Sequence, residues 1–526
     1  MPERGRPRTF PRKDAQDVLP PCPRSSAKKI RAESRASDTA GTKLALPDAK
    51  VMELFRLVFG DKPEIPDMER WLDVGFQFSP LAKTEWGLWQ RHGGPCGIFA
   101  PVQAFLMRSL LFGGEAAEAD AVDPQRRDQP MALSGEEDSR SSLLAHALTT
   151  VLFQTAPTSS YVICQVATRE PGSAPADFPS PAPAAGSPEA VAAAQAAAIA
   201  IATGSCGLSV SGRVVRHAAA AQQLLEEAVD SWLAGPCGVL SFLCSVLLSR
   251  SIATVREDMD DMTTPLIGGF GHCSQELVNL MLIGEASSNV FDGSRWLGDD
   301  PSSGFLVKGI DGDRVGVPLV GYLSELEAMR YVTVGTLYKH PDCPIWVLGS
   351  PTHYTLLFSM RRSDAQLSRE ASLEQRANKV FNDNALDEGS IAMASSLGAM
   401  LTALGIGSDR LAQAQQELVN EDVVLWQDFK FWTARQFGCS DGPSQASSSK
   451  LNLFLYDGQD PPGPSLRSIV VEQSDIDPRF AGGGADGDAF AATLHTRWPN
   501  AVVQVMPFAG AGSEGGGGGA PSMTSL

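Results

Sequence analysis

The chain has 526 residues, 43% of them hydrophobic, enough for one large core or two moderate ones with room for insertions. A formal net charge of -18 argues against nucleic acid or an anionic membrane as a partner, because Lys and Arg would be needed to neutralise phosphates, and leaves proteins or small molecules. Nine cysteines, an odd number with no CxxC pair, fit reduced thiols in the cytoplasm, with the nucleus as a second location, better than a disulfide framework.

Residues 1–45 are basic and Pro-containing, lack the apolar centre of a signal peptide and include Glu3 and Asp14, so a disordered tail is expected. A mixed α/β block is expected over 46–360. Within it, GGPCGIFA at 93–100 opens an apolar run in which Ile98, Phe99, Val102, Phe105, Leu106 and Leu110 recur at helical spacing, placing Cys96 at a helix N-terminus. Pro101 falls in the early turns of that helix and removes one backbone donor. The acidic stretch 114–140 and the Pro/Ala stretch 169–204 read as exposed insertions, since their composition buries too little apolar area to offset ordering entropy. The Ala-rich tract in the second of these is too short and too weakly apolar to span a bilayer, and the apolar run after Cys237 is soon interrupted by charge.

AGPCGVLS at 234–241 nearly repeats the first Cys motif and continues into the apolar helix VLSFLCSVLLSR. Further on, Ser274 is placed to cap a helix in FGHCSQELVNL, with His272 just ahead of it. PIWVLGS and HYTLLFSM read as buried strands separated by a turn, and His353 opens the second. Residues 377–440 contain the Gly-x-Ile core of an EF-hand loop at Gly389 and Ile391. With Asn384 as its first position, however, Leu386, Glu388 and Ser395 occupy positions three, five and twelve, where a calcium loop needs a bidentate Glu at the last. The expectation is a degenerate helix-loop-helix without calcium. Strand character returns over 450–507 in LNLFLYDG and AVVQVMPF, which either completes the first sheet or stands apart. Ser/Gly and Gly/Asp stretches at 440–449 and 481–488 and the Gly-rich end 508–526 read as linkers and tail.

A cysteine at a helix N-terminus and a histidine at a strand start are the parts of a cysteine hydrolase. The thiolate is the nucleophile, and a free thiol with a pKa of about 8.5 is only a few per cent ionised at neutral pH. A helix N-terminus contributes roughly 0.3–1 kcal/mol, so a histidine partner is also needed. An oxyanion donor is the third requirement, worth about 2.7–4 kcal/mol. Gln90 lies six residues before Cys96 across a Gly/Pro loop, whereas Ser231 holds the same place before Cys237. That contrast favours Cys96 as the nucleophile and gives Cys237 a structural reading. Cys237, Cys244, His272 and Cys273 match no zinc spacing. His92, beside the glycines, is placed either to touch a substrate or simply to be exposed, and His340 reads as a loop residue. Asn289 and Asp292 are candidates for the group that orients the histidine, which sequence distance leaves open.

GLWQRHGGPCGIFAPVQAF, GGFGHCSQELVNLMLIGEASSNVFDG and YLSELEAMRYVTVGTLYKHPDCPIWVLGSPTHYTLLFS together resemble the MINDY family of cysteine deubiquitinases, specifically its larger branch, and span most of residues 82–360. The resemblance implies a papain-like α/β (α+β) fold, with Cys96 as nucleophile, His353 as general base and acid and Gln90 as oxyanion donor, and a position for His272 near the substrate. It implies hydrolysis of isopeptide bonds in polyubiquitin, preferentially of lysine-48-linked chains, with no metal or organic cofactor. The larger branch carries a similar degenerate EF-hand-like insertion. A ubiquitin-binding scaffold that has lost turnover is the alternative, and a calcium-responsive adaptor built on 377–440 is a third reading.

Overall fold

The computed structural model describes residues 41–81, 84–113, 137–181, 183–297, 305–365, 369–382, 384–387, 391–438, 450–460, 465–473, 489–499 and 501–507, together with Leu19. The expectations for the rest of the N-terminal tail, for 114–136, for 440–449, for 481–488 and for 508–526 lie outside the described residues. Two of the expected boundaries move. Thr42–Ala45, assigned above to the tail, is a strand that pairs antiparallel with Leu208–Val215, and the helix Glu137–Thr155 begins inside the expected acidic insertion.

The largest core forms around the helix Cys96–Phe112. Every residue from Cys96 to Met107 is buried, so the helix has no solvent face and runs through the molecule rather than lying on it with one apolar stripe. It packs against the helices Glu137–Thr155 and Gln275–Ile283 and against a six-stranded sheet. That sheet runs in chain order: Gly321–Ser324, Ile345–Gly349, Tyr354–Ser359, Lys450–Asp457, Ser465–Gln473 and Ala501–Pro507. Its first pair is parallel and the rest are antiparallel. Both faces are covered, and the two-residue period of the strands sorts side chains between them. Ile345, Val347, Leu356, Phe358, Phe454 and Tyr456 face the main core. Trp346, Leu348, Leu357 and Leu453 face a second cluster closed by Leu494 and Trp498.

A three-stranded sheet, Thr42–Ala45 with Leu208–Val215 and Tyr161–Thr168, packs on the far side of the main core. Its edge strand Tyr161–Thr168 is covered in an unusual way. Ser241, Ser245 and Ser249 of the helix Gly238–Arg250 accept hydrogen bonds from the backbone N–H groups of Val166 (2.9 Å), Cys164 (3.0 Å) and Val162 (2.9 Å). Four residues of helix advance about 6 Å and two residues of strand about 6.6 Å, so a serine every fourth residue keeps step with alternate strand amides. Each hydroxyl donates in turn to the carbonyl four residues back. The open edge is thereby satisfied by side chains instead of a further strand.

The Pro/Ala stretch departs from expectation. Pro188–Ala202 is a helix capped by Ser187, whose side chain accepts from Ala190 N at 3.2 Å. Alanine has the best intrinsic helix propensity, and its small side chain lets backbones approach closely. Ala194, Ala197, Ala198 and Ile201 join the main core, and a methyl added at Gly207 would lie 2.9 Å from Ala197 Cα. Apolar area per residue, the basis of the insertion reading, underestimates what close packing of small residues achieves.

The chain between the third and fourth strands of the large sheet builds a small core of its own on Phe381, Phe429 and Trp432. Helices Arg369–Asn382, Leu397–Ala403, Leu411–Leu418 and Trp426–Gln436 flank two short strand segments that pair through Ile391↔Leu425, Ala392↔Val424 and Met393↔Val423. Gly389 and Glu388 lie outside the described residues. Asn384 turns its amide back to the Val380 carbonyl at 2.9 Å. No single helix among the described residues is long and apolar enough to cross a membrane.

Candidate active site

The Gly/Pro loop makes the sharp entry to the central helix. Gly94 adopts φ +119°, a conformation that disfavours any side chain, and the Pro95 carbonyl accepts from Ile98 N at 2.8 Å and Phe99 N at 3.0 Å to start the helix. Cys96, the first helical residue, is 2% exposed, and its thiol lies 3.7 Å from the Gly94 carbonyl. The helix continues across Pro101 through Phe112. Losing one intrahelical bond near its start leaves it intact because both sides are packed. Gly97 is required by a neighbour: a methyl there would lie 2.4 Å from Cys273 Cβ. Cys273 Sγ itself approaches Gly94 O at 3.5 Å, so two thiols share one carbonyl.

His353 is fixed by the turn before its strand. Ser350 N and Ser350 Oγ both donate to the His353 carbonyl (2.9 and 3.0 Å), and His353 N donates back to Ser350 Oγ at 3.1 Å. Its ring Nε2 lies 3.0 Å from Asp457 Oδ1, at the end of the strand Lys450–Asp457. This leaves Nδ1 for Cys96, with which the imidazole also interacts. Burial alone would lower the imidazole pKa, but the hydrogen bonds to Asp457 and Cys96 and the charges of both outweigh it and raise it from 6.5 to about 9. The carboxylate and the sulfur on either side of the ring thus both favour its protonated form.

Gln90 completes the group. It is buried, and its strand end is stitched to the loop after Asp457: Gln90 N donates to Gly458 O at 2.8 Å and Asp460 N donates to Gln90 O at 2.9 Å. That same loop steadies the carboxylate, since Gln459 N donates to Asp457 Oδ1 at 3.0 Å. One turn further in, Tyr456 donates its hydroxyl to Leu88 O at 2.7 Å, and Leu88 N donates to Gln103 Oε1 at 2.6 Å, two turns down the Cys96 helix. The segments bearing Cys96, Gln90 and Asp457 are thus joined by hydrogen bonds independent of any substrate. The Gln90 amide donates to His92 O at 2.5 Å, and an amide has a second N–H to offer.

A buried cysteine, a histidine, a carboxylate and an amide in one place are the components of acyl transfer at sulfur. Comparison with known proteins gives the kinship. The family model for "Deubiquitinating enzyme MINDY-3/4, conserved domain" matches residues 56–179 and 209–387. The "Ubiquitin carboxyl-terminal hydrolase MINDY-3" of Homo sapiens is 33% identical over 466 residues, covering 85% of this chain and 95% of that protein, and the Bos taurus protein gives the same figures. The chain belongs to the MINDY-3/4 family of deubiquitinating enzymes. The "Probable ubiquitin carboxyl-terminal hydrolase MINDY-4" of Mus musculus is 30% identical over 293 residues, covering 56% of this chain and 34% of that protein. No solved structure matches the chain. The break in the MINDY-3/4 match falls on the Ala-rich helix Pro188–Ala202.

The remaining candidates of this MINDY-3/4 chain fall elsewhere. Asn289 and Asp292 are far from the imidazole in role: Asn289 donates to Asp260 Oδ2 at 2.7 Å, while Asp292 accepts from Thr336 N (2.7 Å) and Oγ1 (2.6 Å), capping a short helix. Cys237 Sγ lies 3.4 Å from Leu72 O, and burial, helped by the Asp73 charge, pushes its thiol up to about 12. It is a neutral thiol at physiological pH. Cys237 and Cys273 sit on different carbonyls, and among the described residues no cluster of three His, Cys, Asp or Glu has metal-binding geometry. His340 is half-buried, and burial together with Arg497 and Lys339 lowers its pKa to about 3, so it stays neutral. His92 is exposed. His272 is half-buried at the foot of a hairpin that abuts Gly94, its ring edge-on to Phe270 at 6.4 Å.

Proposed function

We propose that the chain hydrolyses isopeptide bonds in polyubiquitin through a papain-like site with Cys96 as nucleophile, His353 as general base and acid, Asp457 as the group that orients the imidazole, and Gln90 as oxyanion donor. The observation that carries this reading is the position of His353, with Nε2 on Asp457 at 3.0 Å and its other nitrogen left for Cys96. Cys96 acts as the thiolate of a thiolate and imidazolium pair in which His353 Nδ1 holds the sulfur's proton. The thiolate attacks the carbonyl carbon of ubiquitin's C-terminal glycine, and the oxyanion takes a hydrogen bond from the Gln90 amide. Collapse breaks the C–N bond, the imidazolium protonates the departing lysine amine, and a thioester to Cys96 remains. Water, losing a proton to His353, attacks that thioester and regenerates the thiol. No step calls for a metal or organic cofactor. His272, beside the Gly94 loop, stands where it can touch the substrate.

By family resemblance we assign a preference for lysine-48-linked chains, and from the odd, unpaired set of cysteines a cytoplasmic setting, with the nucleus as a second location. The deciding experiment incubates purified polyubiquitin chains of each linkage with wild type, Cys96→Ala and Cys237→Ala. Loss of cleavage in Cys96→Ala alone, with lysine-48 chains cut fastest, is the expected result. A wild type that binds chains but neither cuts them nor is labelled by a ubiquitin-derived electrophile refutes hydrolysis and leaves the scaffold reading.

A further inference from the structure

Residues 267–273 form a hairpin, closed by the antiparallel bridge Ile267↔Cys273 and by Gly268 N donating to His272 O at 2.8 Å, with Phe270 at its tip. Phe270 has φ 60° and ψ 15°, the left-handed region in which a bulky side chain is an outlier. Glycine occupies 268, 269 and 271, and Gly271 at φ +73° uses its freedom, yet the equally left-handed position beside it carries phenylalanine. Its side chain is not there to pack in the core, because the residue is 77% exposed. The strained tip is also held firmly: Arg70 Nη1 donates to Phe270 O at 3.2 Å, Trp71 Nε1 donates to Gly271 O at 2.9 Å, and Arg70 is anchored on Asp67 at 2.5 Å.

Folding physics thus favours neither the conformation nor the exposure of this ring, and strain kept in place by its surroundings is a mark of functional sites. Its location says which site. The hairpin abuts the loop before the nucleophile, for a methyl on Gly94 would meet Gly271 O at 3.1 Å, and Cys273 on the returning arm lies 3.5 Å from Gly94 O. We infer that Phe270 is a substrate-contact residue, its ring forming an apolar shelf beside the Gly94 loop against which an apolar side chain of ubiquitin's C-terminal tail packs on the way to Cys96. This rests on the reading of Cys96 as a ubiquitin-directed nucleophile. The occupant is the tail because the shelf is continuous with the loop that positions the thiol.

The test compares wild type with Phe270→Gly and Phe270→Leu in three measurements: melting temperature, alkylation of Cys96 by iodoacetamide, and kcat and KM on a ubiquitin–fluorophore conjugate. Glycine relieves the backbone, so Phe270→Gly is expected to melt at or above the wild-type temperature. Its alkylation rate should match wild type while kcat/KM falls roughly tenfold, chiefly through KM, as loss of one aromatic contact implies. Phe270→Leu, which keeps an apolar surface, should recover most of that loss. Unchanged KM in Phe270→Gly overturns the inference and leaves the deubiquitinase reading standing, as does a fall in melting temperature, which removes the strain argument. A wild type inert toward the conjugate overturns both.

Discussion

Replacing Asp457 by Asn probes the site through one proton. The imidazole of His353 is raised from 6.5 to about 9, against its own burial, by Asp457 and by Cys96. That difference corresponds to about 3 kcal/mol favouring the imidazolium. Asp457 and Cys96 each supply a hydrogen bond and a charge, so an even split gives the carboxylate about half of this and the whole is its ceiling. About a quarter of each side chain is open to solvent (22% and 26%), which trims the effect toward the lower figure. Asp457→Asn keeps the shape but removes the charge, and should weaken the thiolate and imidazolium pair by about 1.5–3 kcal/mol, roughly ten- to hundredfold in reactive species. Iodoacetamide alkylation of Cys96 at neutral pH and kcat/KM on a ubiquitin–fluorophore conjugate should both fall by that factor. The same shift carries a sign in stability. The folded state holds the His353 proton more tightly than the unfolded chain, so the stabilisation is complete below pH 6.5 and disappears as pH rises through about 9. Thermal melts should therefore separate wild type from Asp457→Asn near pH 6 and converge above about pH 9. A gap that widens with pH, or equal alkylation rates at neutral pH, would show that Asp457 does not hold the imidazolium.

Gln90→Ala should lower kcat by about a hundred- to thousandfold while leaving Cys96 alkylation near wild type; parallel losses in both would mean that Gln90 only shapes the loop. Cys237→Ala should retain full turnover and lose on the order of 1 kcal/mol in urea unfolding, the cost of a small buried group; loss of activity in a folded Cys237→Ala protein contradicts its structural assignment. Gly97→Ala places a methyl 2.4 Å from Cys273 Cβ, so either the helix start or the Cys273 hairpin must shift, at roughly 1–3 kcal/mol. Activity should fall further than stability, and a wild-type rate would show that Cys96 tolerates displacement. Millimolar calcium against chelator should leave the melting temperature unchanged, because Asn384 is committed to the Val380 carbonyl and Leu386 and Ser395 bring no carboxylate; a clear upward shift refutes the degenerate reading of that loop.

Cys96, Gln90 and His353 stand out as candidates because each sits in a short motif whose local physics is self-contained: a Gly/Pro turn feeding a helix, and a serine-closed turn feeding a strand. Their roles came from family resemblance laid over that pattern. Asp457 was not legible. It lies 104 residues from His353, beyond an inserted helical unit, and reaches the imidazole only because Leu356↔Tyr456 pairing brings the end of one strand beside the start of another. Sequence shows LNLFLYDG as a strand ending in Asp-Gly but not its neighbour, and register between distant strands is a tertiary fact. Asn289 and Asp292, which lie within one of the family motifs, are occupied with loop and helix-cap hydrogen bonds. The Ala-rich helix escaped for another reason, since its burial depends on backbone approach that composition does not register.

The two GPCG motifs show where local reading stops. Both open an apolar helix that is buried almost throughout. What separates them is the surface each helix start faces. The first meets a strand end and a loop that bring an amide and a histidine backed by a carboxylate. The second meets the Leu72 carbonyl and the Asp73 charge, and from there its serines run along the edge of a sheet, which leaves its thiol neutral and its helix committed to covering strand amides. A helix N-terminus shifts a thiol by a fraction of what a paired imidazolium contributes. The same four residues therefore open a helix beside a histidine and a carboxylate in one place and start a packing element in the other, and the difference lies in the groups that the fold delivers to the sulfur.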